Sequence, residues 1–237
     1  MRLAPAPYYV GIDLAWGPGN PSGVAVIDAE ARLVDYRHTD SLAAVAELVK
    51  AHPQCAVGVD APLIIPNASG HRPNERDFLK TFARYGLGVH AANTALFEKR
   101  FPRYSGFELY ERLRAEGFGF DKGNLFEVYP HATILACFND GKVLRYKASA
   151  PKPERIAALK RLQTDLFEVI TVPNTCKKPL ENLKGKALKG EEDFLDSLVC
   201  AYTLLHCAKN DCLCFGDDAI GRLVTPKPPA RPLFTPS

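Results

Sequence analysis

The stretch Val10-Gly11-Ile12-Asp13-Leu14-Ala15-Trp16 decides how the rest of the chain is interpreted. It predicts a buried strand that ends in a carboxylate, followed by a turn rich in glycine and proline and then by a second apolar strand. An aspartate inside an apolar strand is costly to desolvate unless a cation or a group of hydrogen-bond donors receives it. A divalent metal ion is one such partner, and a lysine or an arginine is another. Asp13 alone therefore leaves a structural and a functional interpretation equally open.

Length and composition set the outer limits of the interpretation. The 237 residues are 46% hydrophobic and carry a net charge of only +3, which suits one domain, 1–237, with a proper core and says little about partners. We expect a soluble protein, because no signal peptide and no apolar run of about 18 residues is evident. Seven irregularly spaced cysteines favour a reducing cytoplasm over a disulfide framework.

Three closely linked strands, a crossover helix and a fourth strand open the chain. Turns as short as these join antiparallel neighbours, whereas the crossover allows the fourth strand to lie parallel beside the first. That fourth strand ends in Asp60, so Asp13 and Asp60 are expected side by side, at the edge where open α/β sheets bind ligands. The predicted strands are 8–14, 22–28, 32–39 and 55–60, with the helix from 41 to about 50.

Residues 62–124 interrupt the sheet pattern and predict a helical insertion within the domain, with helices at about 75–85 and 106–116. The insertion is basic, which suits either a lid that contacts phosphates or an ordinary solvated helical segment. We weigh these two interpretations evenly. Its basic residues include Arg72, Arg76, Arg84, Lys99, Arg100 and Arg103.

Further acidic residues follow the insertion. Glu127 lies in an apolar strand at 125–129, and His131, near the start of the next helix, is a candidate for contact with substrate. Asp193 and Asp196 are three residues apart on the last helix, hence on one face, where that helix enters the core. We expect Asp193 to be the more exposed of the two. The pattern predicts a mixed five-stranded sheet flanked by helices, followed by a final short strand pair.

Carboxylates that converge on one sheet edge repel each other and raise each other's pKa values unless cations neutralise them. Hard oxygen ligands of this kind select Mg²⁺ or Mn²⁺. Two such ions, roughly 4 Å apart, can hold a phosphodiester and activate a water molecule for its hydrolysis. The acidic residues concerned are Asp13, Asp60, Glu127, Asp193 and Asp196.

The order of elements resembles the ribonuclease H-like fold, and the late helix with Asp193 and Asp196 is similar to that of bacterial Holliday-junction resolvases. Four motifs together resemble, over nearly the whole chain, the domain of unknown function 429 family, whose members are predicted ribonuclease H-like nucleases. The motifs are Gly-Ile-Asp-Leu-Ala-Trp at 11–16, Gly-Val-Asp-Ala-Pro-Leu at 58–63, Glu-Val-Tyr-Pro-His-Ala at 127–132 and Asp-Ser-Leu-Val-Cys-Ala-Tyr-Thr at 196–203.

The resemblance implies a metal-dependent nuclease in which Asp13 bridges both ions, Asp60 binds one, and Asp193 with Asp196 completes the site. The resolvases carry a glutamate where this chain has Asp60, which puts the second metal position in doubt. Glu127 has no resolvase counterpart and is either a ligand or a residue that orients the insertion. The family also often carries an acidic residue where Glu75 stands here, and Arg72 and Arg76 lie beside it in the sequence.

Two other functions remain open. Actin-like sugar and acyl kinases begin with a similar strand and hairpin, so a phosphotransferase or phosphohydrolase that acts on a small molecule is one alternative. The second phosphate loop and the glycine-rich adenosine motif of those kinases are not visible here. A binding module with a non-catalytic site is the third interpretation. The lysines at 177, 178, 184, 186 and 189 are typical of a solvated loop, yet they could also hold a nucleic-acid backbone. The type of nucleic acid and the oligomeric state, a dimer included, stay open.

Overall fold

A computed structural model describes residues 1–101 and 103–230 of the chain. Apolar runs bounded by turns form the strands of one sheet, as the sequence pattern predicts. The strands are β1 (Tyr8–Asp13), β2 (Ser22–Asp28), β3 (Leu33–Thr39), β4 (Ala56–Val59), β5 (Leu125–Val128), β6 (Cys212–Phe215) and β7 (Leu223–Pro226).

The strands form a mixed sheet in the order β3-β2-β1-β4-β5-β7-β6. The first three strands pair as an antiparallel meander, and β4 lies parallel to β1 with Ile12 opposite Val59. Asp13 follows Ile12 and Asp60 follows Val59, so the two aspartates lie side by side at the same edge of the sheet, as predicted. The backbone N–H of Asp60 donates to the carbonyl of Ile12 at 2.8 Å, which fixes this register at the strand ends.

Helices cover both faces of the sheet. Alternate residues of one strand point to opposite faces, and Tyr9 and Val10 accordingly belong to two separate apolar clusters. One cluster packs mainly against α6 and α7, and the other against α1 and α4. The helices are α1 (Leu42–Lys50), α2 (Pro73–Phe82), α3 (Thr94–Arg100), α4 (Ser105–Ala115), α5 (Pro130–Cys137), α6 (Lys152–Val169) and α7 (Gly185–Lys209).

The predicted five-stranded sheet is wrong in its strand number, since the described residues form seven strands in one sheet. The final strand pair, which the sequence pattern left separate, joins the sheet because β7 pairs in parallel with β5, Glu127 opposite Leu223. This pairing covers the β5 edge with a protein strand, and the short strand β6 becomes the outer strand. Nothing in the local pattern of residues 212–226 tells which edge will receive them.

Two glycines let α7 lie directly on the strands that position the site. A side-chain carbon on Gly11 would stand 2.1 Å from the carbonyl oxygen of Ser197, and one on Gly23 would stand 2.4 Å from that of Asp193. Only residues without a side chain allow so close an approach. Because neither glycine has a side chain, the turn of α7 that carries Asp193 and Asp196 can lie close over the end of β1.

Helix boundaries differ from the sequence pattern in two places. Helix α3 (Thr94–Arg100) was not predicted, and α7 begins at Gly185, six residues before the predicted start at 191. Lys186 and Lys189 thus lie in the first turns of α7 and not in a loop. None of the helices within the described part of the chain is long and apolar enough to cross a membrane.

Candidate functional site

Asp13 and Asp60 form the centre of the candidate site. Both are partly exposed at the carboxyl ends of parallel neighbours β1 and β4. Within residues 1–101 and 103–230, neither side-chain carboxylate has a hydrogen bond or an ion pair. Buried or half-buried carboxylates normally have such partners. This pair therefore has unsatisfied oxygen atoms that face into the site.

The electrostatic environment of the pair disfavours two negative charges. Burial raises the pKa of Asp13 well above its ordinary value, and the neighbouring carboxylates of Asp196 and Asp60 raise it further, while Lys147 opposes them. Burial likewise raises the pKa of Asp60 to about 7, against the lowering effect of Lys147. A cation added between the two carboxylates would remove this cost, because it favours their charged forms.

Asp196 lies beside this pair but has partners for both oxygen atoms. The Tyr146 hydroxyl donates to Oδ1 at 2.7 Å, and the Lys147 ammonium forms an ion pair with Oδ2. The Asp196 side chain is 0% exposed, whereas that of Lys147 is 30% exposed and reaches the site from a loop between α5 and α6. Burial alone would lower the pKa of Lys147, yet Asp196 and the other acidic residues hold it well above its ordinary value.

Asp193 is satisfied in the same way, one turn earlier on α7. The Lys189 ammonium donates to its Oδ1 at 2.5 Å, and the Nε2 atom of His38 on β3 lies 3.1 Å from Oδ2. Its side chain is 4% exposed, so it is slightly more exposed than Asp196, as predicted, but both are buried. The α7 carboxylates are thus held by cations that belong to the protein.

A third acidic residue on α7, Glu192, joins these lysines to one cluster. Its oxygen atoms contact Arg155 at 2.7 Å, Lys189 at 3.0 Å and Lys147 at 3.5 Å. Burial would raise the pKa of Glu192, yet Lys147, Lys189 and Arg155 together lower it. Glu192 therefore keeps its negative charge and holds both lysines near the site.

A cavity of about 550 Å³ opens in front of Asp13. Two aromatic rings form part of its wall, Trp16 and Phe101, whose centroids are 5.5 Å apart in an edge-to-face arrangement. Lys186 and Lys189 of α7 also line it. A smaller cavity of about 70 Å³ adjoins Asp60 and shares Trp16 with the first. The site therefore combines carboxylates, basic side chains and aromatic surface.

Arg72, Glu75 and Glu127 lie together in a different arrangement, next to the smaller cavity. The Arg72 guanidinium donates to both oxygen atoms of Glu127 at 2.9 Å and to Glu75 at 2.8 Å. The backbone N–H of Leu63 also donates to Glu127, at 2.7 Å, and all three charged residues are at most 3% exposed. Glu127 would have to give up these bonds before it could bind a metal ion, and Arg72 before it could contact a phosphate.

The remaining sequence candidates occupy different places. Arg76 is exposed on α2, where its guanidinium donates to the carbonyl of His71 at 2.7 Å. His131 packs against the Tyr146 ring at 4.9 Å between centroids, close to the Lys147–Asp196 pair. Burial, with Lys147 next, lowers the pKa of His131 to about 4, so its ring is neutral at pH 7. Whether either residue contacts substrate stays a prediction.

As the side chains stand, no group of three or more His, Cys, Asp or Glu residues in the described ranges is arranged to hold a metal ion. The protein's own lysines occupy the α7 carboxylates, which leaves Asp13 and Asp60 as the pair with free oxygens. Hard, unsatisfied carboxylate oxygens fit Mg²⁺ or Mn²⁺. The pair thus suits one such cation, while Asp193 and Asp196 would first have to release their lysines.

Sequence reasoning missed Lys147 and Tyr146, which lie in an irregular segment without any periodic pattern. It did single out Lys189, but as part of a solvated loop. A usable signal was present for this residue, because Lys189 and Asp193 are four residues apart, the spacing at which helical side chains pair.

Comparison with known proteins supports the family assignment. The model of the family described as "Protein of unknown function (DUF429)" matches residues 11–220. A search of curated proteins gave no match. Among solved structures, the large terminase nuclease of the thermophilic phage G20c, solved with bound zinc, is 16% identical, with 85% of this chain and 83% of that chain covered and a TM-score of 0.36. A TM-score this low carries no argument about activity. The match over residues 11–220 places the chain in the DUF429 family.

Proposed function

We propose that this protein is a ribonuclease H-like, divalent-metal-dependent nuclease that hydrolyses phosphodiester bonds in nucleic acid. The observation that carries the proposal is the pair Asp13 and Asp60, whose unsatisfied carboxylates lie at the ends of neighbouring parallel strands. Asp13 lines the cavity that Lys186 and Lys189 also line, and Asp60 lines the smaller cavity beside it. The antiparallel meander, the parallel β4 and the late helix with Asp193 and Asp196 support the ribonuclease H-like fold.

The carboxylates of Asp13 and Asp60 would hold the cation, Mg²⁺ or Mn²⁺. When bound, such an ion supplies Lewis-acid charge and lowers the pKa of water near the phosphate. The chain supplies the rest. Lys147 and Lys189 add positive charge beside the pair, where it stabilises the charge that develops on a phosphoryl group. No side chain is required to act as a nucleophile.

Nucleic acid is the substrate class that the cavity fits. Lys186 and Lys189 are placed to attract a phosphate backbone, since lysines displace its condensed counterions. Trp16 and Phe101 offer apolar ring surface to a base of the same strand, and stacking of this kind is tolerant of sequence. A volume of about 550 Å³ is within the range of small-ligand pockets and suits one unpaired nucleotide better than a duplex.

The test is a cleavage assay on labelled single-stranded, duplex and branched DNA and RNA with Mn²⁺ or Mg²⁺. Asp13→Asn should lower the rate by several powers of ten, because the amide keeps the shape but removes a metal-binding charge. Calcium should support binding without turnover, since its larger and looser ligand shell positions water poorly. Asp77→Asn is the matched control, because Asp77 is an exposed residue on α2 and pairs only with Lys80 among the described residues.

Two outcomes would contradict the proposal. Cleavage that survives Asp13→Asn at full rate would point to a contaminant or to another site. Absence of cleavage together with metal-dependent consumption of ATP would favour the phosphotransferase interpretation, so an ATP assay is run beside the nuclease assay.

A further inference from the structure

The four aspartates of the site fall into two groups that differ in how their oxygen atoms are used. Asp13 and Asp60 have no side-chain partner within the described ranges. Asp196 has Tyr146 on one oxygen and Lys147 on the other. A carboxylate with both oxygens engaged is a poor metal ligand until one bond breaks, and a buried carboxylate loses much when its cation leaves.

The balance of charge also limits the number of metal ions. Five carboxylates converge here, and three protein cations contact the α7 members. When all are ionised, two negative charges remain, and one divalent cation cancels them. A second divalent cation would leave an excess of two positive charges beside the buried α7 carboxylates, which is unfavourable without further ligands. The carboxylates are Asp13, Asp60, Glu192, Asp193 and Asp196, and the cations are Lys147, Arg155 and Lys189.

Lys147 is held firmly in its place. It contacts Asp196 and Glu192, and its ammonium lies 5.0 Å from the centroid of the Tyr146 ring, which is fully buried. Its side chain is 30% exposed, and its charge lowers the pKa of both Asp13 and Asp60, so the ammonium lies close enough to act on a ligand held by that pair. It is a compact point charge with three donors. A phosphate held near Asp13 would therefore find a fixed positive group on the α7 side.

From these observations we propose that the site binds a single divalent cation, between Asp13 and Asp60, and that the Lys147 ammonium on Asp196 takes the place of a second. This inference rests on the proposed function. Lys147 would hold and neutralise a phosphate oxygen, but it would not lower the pKa of a water molecule as a metal ion does. The structure thus assigns the two cationic roles of a two-metal site to one ion and one side chain.

The experiment counts Mn²⁺ ions per chain by titration calorimetry and equilibrium dialysis, first with the metal alone and then with a single-stranded phosphorothioate oligonucleotide. The wild-type protein should bind one ion in both cases. Lys147→Met, which keeps an unbranched side chain only one atom shorter but removes its charge, should bind two. Paramagnetic resonance gives a second readout, because two Mn²⁺ ions about 4 Å apart are magnetically coupled whereas a single ion is not.

Controls separate this inference from the proposed function. Lys147→Arg keeps the charge and should still bind one ion, and thermal melting of each variant shows whether it is folded. Two ions in the wild-type protein, or one ion in folded Lys147→Met, would overturn the inference and leave the nuclease proposal standing. Wild-type protein that binds no Mn²⁺, or binding that Asp13→Asn leaves unchanged, would overturn both.

Discussion

Two groups of acidic residues lie at neighbouring strand ends, and they differ in the way their charge is neutralised. Asp13 and Asp60, the open pair, have no protein cation on their oxygen atoms within the described chain, and each lines a cavity. Glu75 and Glu127, the closed cluster, share the Arg72 guanidinium and have bonds to backbone N–H groups as well. Both groups are acids in apolar surroundings, yet only the open pair lacks a partner.

The difference is the one we expect between carboxylates that stabilise the fold and carboxylates that are available to a ligand. In the closed cluster the bonds of Glu127 join β5 to Leu63 and to the start of α2, so the charges hold the insertion against the sheet. In the open pair the nearby lysines relieve the unfavourable charge only in part, since the pKa values of both aspartates stay raised. Sites with strongly perturbed carboxylates of this kind are candidates for ligand or metal binding.

Glu127→Gln tests the closed cluster and should have the largest effect on stability. The change leaves the buried Arg72 guanidinium with only one carboxylate, Glu75. Breaking a buried ion pair by removing one partner costs about 3–5 kcal/mol. Chemical denaturation followed by circular dichroism should show this loss in the free energy of unfolding.

The exposed pair of Asp77 with Lys80 provides the control for this prediction, since Asp77→Asn should change stability by less than about 1 kcal/mol. Mn²⁺ affinity is measured on the same samples. If folded Glu127→Gln binds Mn²⁺ far more weakly while its stability is unchanged, then Glu127 is a metal ligand and the distinction between the two groups fails.

The sequence was sufficient to predict the part of this arrangement that depends on local pattern. Apolar runs predicted the first five strands, and the short turns and crossover predicted that Asp13 and Asp60 would lie side by side. The spacing of Asp193 and Asp196 placed them on one face of a helix. Each of these follows from periodicity and connection length, which a sequence displays directly.

Partners that lie far from an acidic residue in the sequence could not be predicted from local pattern. Arg72 was considered for phosphate binding and Glu127 for metal binding, yet the two bond each other across 55 positions of sequence. Lys147 reaches Asp196 across 49 positions from a segment without regular structure. Such pairings arise from tertiary packing, so these long-range partners are absent from the local pattern, unlike Lys189, which lies four residues before Asp193.

The pH dependence of stability tests the buried environment of His131, next to the Lys147–Asp196 pair. Its pKa is lowered from 6.5 to about 4 by burial and by Lys147, so the folded protein holds a neutral ring where the unfolded chain binds a proton. Stability should therefore fall as the pH drops below 6.5. At pH 5 the loss from this group is about 2 kcal/mol, at about 1.4 kcal/mol per pH unit.

His131→Asn should remove this part of the acid sensitivity. Denaturation curves of wild type and variant at pH 8, 6.5 and 5 should converge as the pH falls, because the variant has no proton to take up at this position. Parallel curves across that range would show that burial does not hold the His131 ring neutral.

Asp60→Asn tests the open pair itself and should have the smallest effect, with a sign opposite to that of Glu127→Gln. In the folded, metal-free protein the pKa of Asp60 is raised to about 7, above that of the unfolded chain. Such a group costs stability as the pH rises from about 4 through 7. At pH 8 in EDTA the variant should be more stable than wild type by about 1–2 kcal/mol, less than the full shift implies because the asparagine amide is itself partly desolvated. At pH 4.5 the stabilities of variant and wild type should be nearly equal.

Added Mn²⁺ should reverse the order of stability at pH 8, so that wild type becomes more stable than Asp60→Asn, because only the wild-type pair gains stability from the ion it binds. A loss of stability in metal-free Asp60→Asn at pH 8 would mean that the protein already neutralises this carboxylate, and the contrast with the closed cluster would disappear.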